Sequence, residues 1–392
     1  MPKTRVIIVG GGFGGIFTAL QLAQLPWTEP PEIILLDRHD RFLFSPLLYE
    51  LITGEVNTWE IAPYFRELLE GTGIIFQQAE VRSINLTAKT IHLETSESIE
   101  VPFDYLVLAV GSGFPATQIP GAREHALTFR TLADAQKLTA RLQNLEASDR
   151  EKIRVCVCGG GASGVEITAK VSDRLAKRGR VRIVDRHKHL LSKAMVANRQ
   201  SAEMALQKRG VWIDLNTTVV AIGEDSITLD YQGTIETLPV DVVLWTVGNS
   251  PHPLVSDLQK QGLVVQQGKI VVDRHLRVQN YPVWAIGDVA CLQGLAQIPA
   301  TAQVAFQQSF YCARNIWAWL HDETLTPFTY VPLGEFISLG IGQASMAVPV
   351  LPFALSGVLA NFLRRAIYLT RLPTLNHQLK VAVHWLGGIF PA

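Results

Sequence analysis

Short, near-continuous apolar runs, each closed by a glycine or an acidic residue, mark out the chain and recur twice in the same order. The run Arg5–Val9 enters Gly10-x-Gly12-x-x-Gly15 and gives way to a helical pattern, after which Glu32–Leu36 closes on Asp37. Short strand patterns follow at Ile75–Val81 and Thr90–Leu93, and Asp104–Val110 closes on Gly111. The order then repeats. Arg154–Cys158 enters Gly159-x-Gly161-x-x-Gly164, Val181–Val184 closes on Asp185, strands fall at Thr217–Ile222 and Ser226–Leu229, and Asp241–Val247 closes on Gly248. Runs without polar alternation belong to strands covered on both faces, as in parallel sheets flanked by helices. The pattern therefore predicts an α/β chain built on two copies of one strand–turn–helix fold.

Each glycine in the repeated motif has its own task. The first makes a tight turn, the second lets backbone approach a pyrophosphate at the helix N-terminus, and the third lets helix pack on strand. An acidic residue about twenty positions on binds a ribose hydroxyl, and Asp37 and Asp185 stand at that distance. Two complete copies predict two nested Rossmann-like dinucleotide-binding domains: 1–111 resumed at 249–325, and 112–248. After the second copy come an extended segment Val271–Val278, the run Tyr281–Ile286 closing on Gly287-Asp288, and a helix Ala300–Leu320. Asp322–Pro332 reads as a linker. A C-terminal α+β segment, 326–392, then carries a hairpin pattern over Phe336–Val348, chain breaks at Pro349 and Pro352, and a helix over Ala354–Arg371.

Composition narrows the function. The 392 residues include 35 basic and 35 acidic side chains, a zero balance that argues against a nucleic-acid binder. Cys156, Cys158, Cys291 and Cys312 form no CxxC pair and no metal-ligand spacing, so no metal site is expected and the strand pair Cys156 and Cys158 reads as small buried hydrophobes. The N-terminal apolar run is too short for a signal peptide.

The two glycine folds with Gly287-Asp288 resemble the two-dinucleotide-binding flavoprotein family over residues 4–320. That resemblance implies FAD in the first fold, touched by Gly10, Gly12, Phe13, Gly14, Gly15, Asp37, Arg38, Pro46 and Gly111, by Gly287 and Asp288 at the ribitol, and by Ala302 and Gln303. It implies NADH or NADPH in the second, at Gly159, Gly161, Ala162, Ser163, Gly164, Glu166, Asp185, Arg186 and Gly248. Asp185 favours a free 2′-hydroxyl while Arg186, His187 and Lys188 could receive a 2′-phosphate, so the choice of nucleotide stays open.

Phe42-Leu-Phe-Ser-Pro-Leu-Leu-Tyr-Glu50 and Ala302-Gln-Val-Ala-Phe-Gln-Gln308 resemble runs in type II NAD(P)H:quinone oxidoreductases. Ala302, Gln303, Ala305 and Gln307 then line the flavin and quinone, and Glu166 matches a glutamate near nicotinamide and flavin. Glu166, Gln303 and Gln307 are thus the implied catalytic set, although Gln303 and Gln307 alone could equally be a solvated helix face. Leu333-Gly-Glu335, Leu339-Gly340, Arg364-Arg365, Leu372-Pro-Thr374 and His377-x-x-Lys380 resemble the demethylphylloquinone reductases of photosynthetic organisms, which act on a naphthoquinone ring. A ferredoxin- or rubredoxin-type reductase and a flavoprotein redox sensor are the competing readings.

From Phe336 to Ala392 there is no Asp or Glu, while Arg364, Arg365, Arg371 and Lys380 remain. On a helical wheel Leu355, Val358, Leu359, Phe362, Ala366 and Leu369 share one face, opposite Asn361, Arg364, Arg365, Tyr368 and Arg371. An apolar face with a basic counterpart describes a helix lying in an anionic membrane interface. A peripheral membrane protein on the cytoplasmic side of a thylakoid or plasma membrane, holding a membrane quinone, is therefore expected. Packing on its own protein or on a second copy in a homodimer is the alternative for that helix.

Overall fold

The computed structural model describes residues 3–94, 99–113, 118–294, 298–349 and 353–389. Pro352, expected to break the chain, lies outside them. The chain divides into two compact units.

The first unit comprises Met1–Phe44, Ala62–Pro115 and Asn249–Val331. Its sheet is parallel throughout, in the order Val283–Ala285, Tyr105–Leu108, Arg5–Val9, Glu32–Asp37, Ile75–Gln78. Val6, Ile7 and Ile8 of the central strand are fully buried, as a strand covered on both faces requires. Helix Phe13–Gln24 packs along helix Ala302–Leu320, and Phe17 meets Phe306 edge-on with ring centroids 4.6 Å apart. The expected strand Ile75–Val81 is two strands, Ile75–Gln78 and Glu80–Asn85: at Ala79 the N–H turns to the Asp37 carbonyl. The expected extended segment Val271–Val278 leaves its sheet after Val272, because the Asp273 carboxylate accepts from the amides of His275 and Arg277 and folds the chain into a turn.

The second unit comprises Ser45–Ile61, Ala116–Gly248 and Pro332–Ala392. Its parallel sheet runs Trp212–Asp214, Gly179–Val184, Ile153–Cys158, Val242–Trp245, Ala126–Thr128. Cys156 and Cys158 are buried with Val184 and Val243 and behave as small hydrophobes. The hairpin forms as Glu335–Ser338 and Ala344–Ala347. Leu355–Gly357, expected to begin a helix, is instead a third strand on Ala344–Met346, and Gly357 at φ +86° turns the chain into helix Val358–Leu369. A further helix, Leu375–Ile389, went unmarked in the sequence pattern. Among the described residues no helix is long and apolar enough to cross a membrane.

The unit boundaries differ from those drawn on sequence. Ser45–Ile61 and the C-terminal segment both group with the second parallel sheet, because Ser45–Thr53 and strand Glu335–Ser338 pack on helix Ala162–Leu175 of that unit.

Candidate functional site

Both glycine turns show the same division of labour. Gly10 and Gly159 hold φ of +99° and +113°, where L side chains are strained. A Cβ on Gly15 would lie 1.7 Å from the Gly10 carbonyl oxygen, and one on Gly164 would lie 1.8 Å from that of Gly159, so backbone contact admits nothing larger. A Cβ on Gly12 or Gly161 would meet nothing within 4 Å. These two residues are the N-caps of helices Phe13–Gln24 and Ala162–Leu175, and neither helix has a side-chain cap. Space beside a helix N-terminus, with amides no side chain has claimed, fits a pyrophosphate in each unit.

The acidic residues are placed alike too. Asp37 accepts from Gly11 N at 2.6 Å and His39 N at 2.8 Å; Asp185 accepts from Gly160 N at 2.5 Å and His187 N at 2.7 Å. Arg38 and Arg186 follow them, exposed. Gly14 packs on Ile286, and the Phe13 ring stacks into a cluster with Phe17, Phe42 and Phe44. Ala162 and Ser163 lie exposed in their helix's first turn. Gly111 and Gly248 have φ of +70° and +84° just past the strands Tyr105–Leu108 and Val242–Trp245. Gly287, at φ +73°, donates to Gln308 Oε1 at 2.6 Å, which ties the Gly287-Asp288 turn to the helix beginning at Ala302. Pro46 sits in the 3-10 segment Ser45–Thr53 of the second unit.

The two glutamines hold the chain that follows their helix. Gln307 donates to Val331 O at 2.8 Å and accepts from Val331 N at 3.0 Å, while Gln303 accepts from the Tyr330 hydroxyl at 2.8 Å. Both donor and acceptor of the Gln307 amide are thereby bonded to backbone.

Glu166 lies in a group of buried charges that sequence reasoning did not assemble. Its Oε1 accepts from the Tyr49 hydroxyl at 2.9 Å and from Ser338 N at 3.0 Å. Arg364 donates to the Tyr49 hydroxyl at 3.2 Å, to Asn361 Oδ1 at 2.8 Å, and to Glu50. Arg365 bonds the other Glu50 oxygen at 2.7 Å, and Lys170 pairs with Glu55 and lies 4.0 Å from Glu50. Glu50, Lys170 and Arg364 are all 0% exposed. Burial alone would raise Glu50, but Arg364, Lys170 and Arg365 outweigh it and hold the carboxyl below its usual range. Burial dominates at Glu166 and, against its donors, pushes the group up to about 7.

Arg364 and Arg365 therefore do not form the outward basic face read from the helical wheel; that face is turned inward onto Glu50. The wheel separates two faces but carries no sign for which is inside. Tyr49 and Glu50 stood within a motif already singled out, yet nothing local marks them as partners of residues some 315 positions away.

The raised Glu166 value makes a stability prediction. The fold favours the protonated form, so its contribution is present below about pH 4.5 and is lost as pH rises to about 7. The stability of Glu166→Gln minus that of the unaltered protein should rise across this window by on the order of 3 kcal/mol. Denaturant melts at several pH values measure it, and a flat difference would show that Glu166 titrates as an exposed carboxyl does.

The model of the pyridine nucleotide-disulphide oxidoreductase family matches residues 4–309 of this chain. The demethylphylloquinone reductase of Synechocystis sp. is 46% identical over 391 residues, covering 98% of this chain and 96% of that protein. The alternative NAD(P)H-ubiquinone oxidoreductase C1, chloroplastic/mitochondrial, of Arabidopsis thaliana is 37% identical, covering 98% of this chain and 81% of its own length. Among solved structures, NDH2 of Plasmodium falciparum in complex with NADH superposes with a TM-score of 0.87 at 18% identity, covering 99% of both chains.

Proposed function

The chain belongs to the pyridine nucleotide-disulphide oxidoreductase family, and from that premise we propose an FAD enzyme that passes two electrons from NAD(P)H to a membrane quinone of the naphthoquinone class. The observation that carries this reading is the pair of glycine cradles in a chain whose cysteines offer no relay. Cys156, Cys158 and Cys312 are buried and Cys291 stands apart from them in sequence, so despite the family's name electrons reach the acceptor from the flavin directly.

FAD is assigned to the first unit and the nicotinamide nucleotide to the second, each with its pyrophosphate at the helix N-terminus and its ribose at Asp37 or Asp185. Bound FAD supplies the two-electron carrier; the protein binds, orients and excludes water. NAD(P)H brings a hydride, and forming the hydroquinone takes one further proton from solution. Glu166, with a value near neutrality, is the side chain suited to hold that proton.

Membrane docking is assigned to the outward faces of the last two helices. Val358, Leu359 and Phe362 are 73%, 57% and 62% exposed, and Leu375, Leu379, Val383 and Leu386 recur along one exposed stripe of Leu375–Ile389. Apolar residues in such a row, with no covering element among the described residues, fit a lipid surface.

Anaerobic NADH titration followed by a quinone pulse tests the reading. The expected result is a yellow protein that bleaches with one equivalent and is reoxidised within seconds by a naphthoquinone. A bleached flavin that quinones leave reduced would overturn it.

A further inference from the structure

The Tyr49 hydroxyl has its hydrogen-bond polarity imposed on it. A guanidinium has donors and no acceptor, so in the 3.2 Å contact with Arg364 Nη1 the phenol oxygen accepts. Its single hydrogen is then left for Glu166 Oε1, 2.9 Å away. Ser338 N donates to the same oxygen, so both donors converge on Oε1 and a proton taken up by Glu166 goes to Oε2. Tyr49 does not ionise and break the arrangement, because burial and then the neighbouring Glu166 raise it well above the usual phenol range. Arg364 cannot swing away, since Glu50 and Asn361 hold its Nη2.

We propose that Arg364 is a positioning residue for Glu166 that acts through Tyr49: by filling the phenol's acceptor site it fixes the direction of the Tyr49–Glu166 hydrogen bond, and with it where Glu166 carries a proton and how tightly. This deepens the quinone-reductase reading and rests on it only for the fate of that proton. The charged and titratable groups facing Glu166 are Tyr49 and Glu50 from Ser45–Thr53, Lys170 from its own helix, and Arg364 and Tyr368 from Val358–Leu369. Tyr49 bonds both Arg364 and Glu166, and Tyr368 is also hydrogen-bonded to Arg364.

The test is an infrared pH titration of the Glu166 carboxyl in the FAD-loaded full chain, its band assigned by subtracting Glu166→Gln. Tyr49→Phe keeps the ring and removes only the hydroxyl, so the ionised carboxylate loses a donor and the midpoint should rise by about one pH unit. Arg364→Lys keeps the charge but not the forked geometry; it should raise the midpoint by a smaller amount and should add nothing in the Tyr49→Phe background. An unmoved midpoint in Tyr49→Phe, or an Arg364→Lys shift of equal size with and without the hydroxyl, would overturn the proposal. If Arg364→Lys is not recovered folded, Arg364→Gln, which keeps a donor without the charge, takes its place in both backgrounds, and an unmoved midpoint in Tyr49→Phe still overturns the proposal. The titration uses no quinone, so an enzyme that bleaches with NADH but ignores quinones would defeat the functional reading while leaving this result to stand or fall by itself.

Discussion

Arg364→Glu is expected to leave no stably folded second unit. The substitution removes the cation that meets Glu50 and puts another carboxylate beside it at a position 0% exposed. Stripping one partner from a buried ion pair costs about 3–5 kcal/mol, and a domain has about 5–15 kcal/mol in total. The measurement is soluble yield together with near-ultraviolet circular dichroism of whatever is recovered. Replacing both partners, Glu50→Leu with Arg364→Met, should recover part of the fold, because that pair is then absent rather than half-made while Lys170 and Arg365, which also meet Glu50, keep Glu55. Wild-type stability in Arg364→Glu would mean that the side chain reaches solvent after all.

The second large effect is on membrane attachment. Replacing Val358, Leu359 and Phe362 together by Asp should release the protein from quinone-containing vesicles, weakening binding more than 100-fold, since each apolar side chain withdrawn from lipid forfeits about 1.5–3 kcal/mol. These positions are exposed, so FAD content and turnover with a short soluble quinone should persist. Co-sedimentation with vesicles, read beside both turnover assays, checks it. Retention on vesicles would assign the stripe to another protein surface, and parallel loss of FAD would show that these side chains support the fold.

The legible parts of this molecule are those dictated by local geometry. Gly10 and Gly159 announce themselves because only glycine tolerates their φ, and Gly15 and Gly164 because a neighbouring carbonyl excludes any side chain. The apolar strands were legible for the same local reason: burial on both faces removes alternation. Leu355–Gly357 was misread as helix because its state is decided by Ala344–Met346, against which it pairs, and single-segment patterns do not contain the partner. Gln307 was legible as a polar residue at a helical spacing after Gly287-Asp288, but its bonds to Val331, which occupy both ends of its amide, depend on how the later chain returns and were not. Glu166 was legible as a carboxylate beside a fingerprint, but its raised proton affinity comes from burial, which outweighs the opposing donors Tyr49 and Ser338, and no spacing rule encodes that burial.

The second unit is assembled from three stretches of chain, Ser45–Ile61, Ala116–Gly248 and Pro332–Ala392. On a ribosome these emerge in that order, and Glu50 appears long before Lys170 and longer still before Arg364 and Arg365. Until the last stretch is released, Glu50 lacks two of its three cations. Ser45–Thr53 can pack on helix Ala162–Leu175 early, but Glu50 stays buried with Lys170 as its one nearby cation until helix Val358–Leu369 arrives. Docking of that helix is therefore expected among the final steps of folding, where long-range closure is slowest, so nascent chains stalled before residue 358 should be more open to proteases within Ser45–Ile61 than the full chain.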